Sequence, residues 1–234
     1  FILSAFFAAR MMRRETLGYA PRVDEMLRGL GRFVGVNCDS FLRSLCVMAV
    51  MLFFPATGAR SGNMTLAVNA LFMQLYLLYS HFMDGFAYAG EALVGKYAGA
   101  ADKHSLRRCV SHLFAWGWSL AAIFAFAHGV FNHEVMSLFS DKPEVVAFAA
   151  AYRWWIALAP IAGMAAFIWD GVFVGLTATR QMLLSLAGAT AVYFAIYFLS
   201  PFPDANSSLW TAFLTYLAVR GVILWLCFAR KNEY

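Results

Sequence analysis

The sequence predicts an all-α membrane protein, a six-transmembrane-helix bundle preceded by the end of another helix. Three observations carry that prediction. The 234-residue chain is 62% hydrophobic and only 13% charged, whereas soluble domains carry roughly 25% charged residues. Its apolar runs approach or exceed the roughly 20 residues that a helix needs to cross a bilayer, and lack the alternating polarity of membrane β-strands. Its Lys and Arg gather in every second loop, as the positive-inside rule requires. The formal charge of +5 therefore reads as topology, and no nucleic-acid partner is expected.

The elements follow in order. Phe1 to Ala9 is apolar but too short to span a bilayer, and no charged region precedes it as in a signal peptide; residues 1–12 are taken together. They read as the end of a truncated transmembrane helix, in a sequence that is itself a fragment. Residues 13–32 read as a cytoplasmic inter-lobe linker. The lobe at 33–230 carries spans at about 33–56, 63–95, 106–128, 145–175, 182–199 and 207–228. Pro55 with Thr57-Gly58 closes the first span, and Pro201 with Pro203 marks a tight turn before the last. The second span is roughly 48 Å long at 1.5 Å per residue, so it must tilt, bend or protrude from a core of about 30 Å.

Counting basic residues gives the orientation. Segments 10–32, 96–108, 176–182 and the tail from 229 hold thirteen Lys and Arg, against only Arg60 and Lys142 in the alternate loops. The first set is expected in the cytoplasm, together with the C-terminus. Trp154, Trp155 and Trp210 then fall near the outer interface, and Trp169 and Trp225 near the inner one, as an aromatic belt.

Ionisable residues left within or beside spans are Asp39, Arg43, Asp84, Glu91, Arg153, Asp170 and Arg220. Such groups are expensive in a membrane, and each is a functional hypothesis by default. Counting from the span ends, Asp39, Arg220 and Arg43 lie roughly 9, 12 and 15 Å from the inner end. Asp84 and Asp170 fall in the inner third. Asp39 and Arg43 are spaced i,i+4 in the favoured acid-to-base order. Two readings follow. In one, Asp39 and Arg43 are a structural ion pair. In the other, Asp39, Arg43, Asp84, Asp170 and Arg220 form an ion-coupling or gate network that re-pairs as the protein changes conformation. His81, three residues before Asp84, is either a proton relay or a packing residue.

The second span also carries Asn69, Gln74, Tyr76 and Tyr79, with Met73 and Met83 at helical spacing. These residues read as a substrate cavity for bulky, partly apolar compounds or as bundle core. Gly85 beside Asp84 and Pro160 in mid-span are hinge positions, since proline removes a backbone hydrogen bond. Gly85, Gly90, Gly95 and Gly99 suit close helix approach. Cys38, Cys46, Cys109 and Cys227 lack metal-type spacing, and no metal site or cofactor is expected. No catalytic motif of the Walker, HExxH or GxSxG kind occurs, and the chain reads as not an enzyme.

Two stretches, Asp84 to Ala100 (DGFAYAGEALVGKYAGA) and Ile168 to Met182 (IWDGVFVGLTATRQM), resemble cytoplasmic-end motifs of the multidrug and toxic compound extrusion (MATE) family, most closely its DinF-like branch. The run Phe41-Leu42-Arg43-Ser44-Leu45 after Asn37 and Asp39 resembles the start of that branch's seventh helix, and Asn69 fits a polar position of its eighth. The resemblance implies one lobe of a two-lobed, twelve-helix antiporter, the missing N-terminal lobe being its partner. It implies export of small organic, cationic or amphipathic compounds by alternating access, in exchange for protons or sodium. It implies a multi-pass protein of the bacterial cytoplasmic (inner) membrane. In this branch the main coupling carboxylate lies on the first helix, in the lobe absent here. A lipid-linked oligosaccharide flippase of the same superfamily would line its cavity with more cationic residues, whereas a non-transporting membrane scaffold would keep its buried charges permanently paired.

Overall fold

A computed structural model of the chain describes residues 23–199 and 204–230. Among the described residues, those from 39 onward form one compact unit, and residues 23–38 belong to a second and are helical. The truncated-helix reading of residues 1–12, the linker up to residue 22 and the Pro201–Pro203 turn lie outside the described residues.

The helices are α1 (Val23–Gly58), α2 (Asn63–Gly99), α3 (Lys103–Val130), α4 (Asn132–Ser137), α5 (Pro143–Gly175), α6 (Thr179–Leu199) and α7 (Ala205–Arg230), with a 3-10 turn at Ala59–Ser61. No strand occurs among the described residues. Six segments are long and apolar enough to cross a membrane, beginning with Asn37–Ser61 and ending with Ala205–Arg230. They are as many as the predicted spans and overlap them, the first at 37–61 against the expected 33–56. The short α4 was expected as loop; it folds because Asn132 and Met136, four apart, both turn inward.

Helix boundaries depart from expectation at α1. Pro55 does not end it, because proline's fixed φ suits a helix and only one amide bond is lost in the final turns. The chain reverses instead at Gly62, whose φ of 104° is one that L side chains rarely adopt. The links after α2 and α5 turn on Ala101 and Thr177, both left-handed at φ 53°. Asp102 then caps α3, its Oδ1 accepting from the Ser105 amide at 3.0 Å. This bond and the Ser105 hydroxyl hold the Asp102 carboxyl below its ordinary range.

Helix α5 is the centre of the bundle and packs against α2, α3, α4, α6 and α7. It is apolar on all sides, as a helix enclosed by others should be. Glycine sets its closest contact. A Cβ on Gly171 would lie 2.2 Å from the Ala87 carbonyl oxygen, and one on Gly175 would lie 2.7 Å from that of Glu91. Helices α2 and α5 therefore meet backbone to backbone through the Gly171-x-x-x-Gly175 spacing. Gly90 and Gly95 of α2 face the same seam, whereas Gly85 and Gly99 meet nothing within 4 Å.

Aromatic packing fixes the outer helices. Phe54 of α1 meets Trp210 and Phe213 of α7 edge-on at 5.0 and 5.3 Å, and Phe53 meets Tyr193 and Tyr197 of α6. Trp154 and Trp225 are exposed, at 59% and 55%, as belt residues should be, but Trp210 and Trp169 are buried. The belt expectation for those two is corrected. Trp210 donates to Asn69, and Trp169 packs on Phe114, Phe173 and Phe228.

Candidate functional site

Residue pairs across the bundle establish which ends lie together. Gly95 of α2 approaches Gly175 of α5, and Thr179 of α6 reaches Asp39 of α1. The basic segments 96–108 and 176–182 therefore share one end of the bundle. At the other end Asn69, Asn206 and Gly58 converge.

The strongest polar contact lies towards the basic end. Arg220 of α7 donates Nη2 to Oδ2 of Asp170 on α5, a hydrogen-bonded ion pair whose side chains are 12% and 21% exposed. A buried pair of this kind removes two unpaired charges from an apolar setting. Tyr76 of α2 lies within electrostatic reach of Arg220, Asp170 and Asp84, and Tyr216 of α7 within reach of Arg220, Asp170 and Arg43. Of the five predicted gate residues, Asp170 and Arg220 are brought together as a pair.

Asp39 and Arg43 do not form the expected intrahelical pair. The Thr179 hydroxyl donates to Asp39 Oδ2 at 3.2 Å, and Arg43 Nη1 approaches Met182 Sδ at 3.6 Å. Both side chains point to α6, because the helix spacing that would let them meet also places them facing that neighbour. The i,i+4 pair is corrected to two separate links between α1 and α6. Asp84 is half-buried and has no ion pair among the described residues.

The predicted cavity residues divide differently. Asn69 is buried; its amide donates to Asn206 Oδ1 at 2.7 Å and its carbonyl accepts from Trp210 Nε1 at 2.9 Å. Tyr79 is fully enclosed and donates to the Pro160 carbonyl at 3.0 Å. Tyr76 packs edge-on against Phe213 at 5.2 Å. These three are core of this lobe, and Gln74 alone of the four is exposed. Met83 is also fully buried, so the Met and aromatic stripe is bundle core. His81 is exposed and its Nδ1 contacts the Leu77 carbonyl at 2.5 Å on its own helix. Of the two hinge positions, Gly85 lies open on an unbroken α2, and Pro160 lies buried within an unbroken α5. Arg153 stacks over Trp154 at 5.0 Å.

Sequence reasoning missed Asn206 as the partner of Asn69, and Gly171 and Gly175 as the seam with α2. The Gly-x-x-x-Gly spacing was readable; the partner of Asn69 had no local signal.

Among the described residues, six apolar spans around a largely buried interhelical ion pair define a multi-pass helical membrane protein. The chain belongs to the MatE family, whose model matches residues 39–199. It is 30% identical over 219 residues to DNA damage-inducible protein F of Escherichia coli (strain K12), covering 92% of this chain and 48% of that protein. It is 23% identical to Protein DETOXIFICATION 45, chloroplastic, of Arabidopsis thaliana, over 77% of this chain and 32% of that one. The chain thus spans about half the length of the first relative and a third of the second. Among solved structures it superposes on the outward-facing conformation of a multidrug resistance MATE family transporter of the MOP superfamily. That match has a TM-score of 0.75 at 14% identity and covers 86% of this chain and 45% of that one. An inward-facing conformation of a MATE family transporter gives 0.65 at 14% identity, covering 92% and 49%. The helical lobe of that fold is therefore shared.

Proposed function

We propose that this chain is the C-terminal lobe of a cation-coupled efflux antiporter that works by alternating access. Its partner is an N-terminal lobe, and its cargo is a small organic, cationic or amphipathic compound. Protons or sodium supply the driving force, and no other cofactor takes part. The protein sits in a bacterial inner membrane with its basic end and C-terminus in the cytoplasm. The MatE match and the likeness to DNA damage-inducible protein F support this reading over a flippase or a passive scaffold.

One observation carries the assignment of roles. A half-buried carboxylate, Asp84, stands without an ion pair among the described residues, while Asp170 and Arg220 are paired with each other. An acid with no salt bridge can take up or release a cation without first breaking an ion pair, which suits coupling or gating. Asp39 and Arg43, tied to α6, complete the gate, with Gly85 and Pro160 as its hinges. Gln74 is the candidate for cargo contact, and Asn69, Tyr76 and Tyr79 shape the wall behind it.

The test is dye export by the full-length protein in liposomes, driven by a proton or a sodium gradient. Asp84→Asn should weaken export, or its pH dependence, more than it lowers the yield of folded protein. Equal loss of folded protein and of transport would make Asp84 structural.

A further inference from the structure

A cleft of about 520 Å³ lies between α2 and α3, separate from the Asp170–Arg220 pair. Each helix supplies one face. Phe86, Leu93 and Tyr97 recur along α2, while Arg108, His112 and Trp116 recur at four-residue steps along α3. The helices run in opposite directions, so Tyr97 and Ser105 lie at the basic end of the cleft and Phe86 and Trp116 at its apolar end. From Arg108 to Trp116 the surface passes from cationic to aromatic over roughly 12 Å. The floor is Leu113, whose Cδ1 fills the space beside Gly90. Trp116 is 65% and Leu93 41% exposed, so the apolar end opens on the flank of the bundle.

Charge is concentrated at the other end. Between residues 96 and 108 stand Lys96, Lys103, Arg107 and Arg108, with Asp102 the one acid. That carboxylate caps α3, and four cations against one acid leave the cleft mouth with a net positive charge. A basic mouth above an aromatic, membrane-depth trough complements a molecule with an anionic head and apolar tails. The volume falls in the range of small-molecule sites, enough for a glycerophosphate head and the first methylenes of its chains.

We propose that the α2–α3 cleft binds an anionic phospholipid, its phosphate at Arg108 and His112 and its acyl chains along Phe86, Leu93 and Trp116. Arg108 and His112 project from one helix face and supply N–H donors; the Tyr97 phenol adds a neutral donor at the same mouth. A bare phosphate would leave the trough unused, and a zwitterionic lipid would leave the positive charge unanswered.

Native mass spectrometry of the full-length protein tests this, with palmitoyl-oleoyl phosphatidylglycerol and the matching phosphatidylcholine as probes. Phosphatidylglycerol should be retained about fivefold or more over phosphatidylcholine, and Arg108→Gln with His112→Gln should abolish that preference. Lys142→Gln, which removes an exposed charge from outside both the cleft and its basic mouth, should leave it nearly intact. Equal retention of both lipids, an effect of Lys142→Gln as large as that of the double variant, or displacement by millimolar inorganic phosphate would overturn the proposal. A measurement on the unaltered protein covers a variant that fails to fold. Phosphatidylglycerol with a diazirine in its acyl chain should label the peptide containing Trp116, and labelling confined to other helices would refute the site.

Discussion

Arg220 and Asp170 are hydrogen-bonded to one another across α7 and α5, more than three-quarters buried on both sides. Removing one partner strands the other. Asp170→Asn in the full-length protein should cost about 3–5 kcal/mol of stability. Combining it with Arg220→Met should recover much of that loss, measured by thermal unfolding in detergent. If the pair also opens and closes during transport, the double variant will be stable and inactive; full activity in it would make the pair purely structural.

Gly171 and Gly85 should respond oppositely to the same change. Gly171→Ala drives a methyl group into the Ala87 backbone and should destabilise by about 3 kcal/mol or more, since backbone cannot step aside as a side chain can. Gly85→Ala meets open space and should stabilise α2 by about 1 kcal/mol or less through helix propensity. Lower transport in a Gly85→Ala protein of unchanged or raised melting temperature would establish the hinge.

Asn69→Leu should leave Trp210 Nε1 and Asn206 Oδ1 without their Asn69 partner in a buried site. Each unsatisfied group costs about 1–3 kcal/mol. Near-ultraviolet circular dichroism and unfolding temperature report the loss, and Trp210→Phe in the same background should add little further destabilisation.

Asp102 gives a pH dependence with a definite sign. Its folded-state carboxyl is held below the ordinary range by Ser105, so its stabilisation is present above the unfolded value, about 3.9. That contribution is lost as pH falls through the lower folded value. Protection of the Ser105 amide against hydrogen exchange, taken relative to the intrinsic rate at each pH, should be high at neutral pH and fall only in acid. Asp102→Ala should lower it at every pH, and Asp102→Asn should remove the acid sensitivity while keeping the cap.

The six spans were legible because their length and composition are set by the bilayer, and the clustering of basic residues at one end followed from alternate loops. Side-chain direction was not. A helix period says which residues share a face but not what the face meets, and in a membrane bundle both the lipid side and the core side are apolar. Tyr76 and Tyr79 share a helix face, yet that face turns to Phe167, Phe124 and Phe213. Asp39 and Arg43 had the right spacing for each other, and Thr179 and Met182, 140 and 139 residues away, engage them instead. Asp170 and Arg220 were singled out by the cost of burying charge, a rule that needs no knowledge of neighbours. Their pairing across 50 residues of sequence required the fold.

The contact of α2 with α5 has a mechanical consequence. Where a carbonyl oxygen abuts a glycine, no layer of side chains lies between the helices to absorb shear by changing rotamer. Over the roughly 12 Å from Ala87 to Gly95 the two helices therefore behave as one girder. Bending at Gly85 or Pro160 falls outside that length, and the end of α2 at the basic loop moves together with the end of α5.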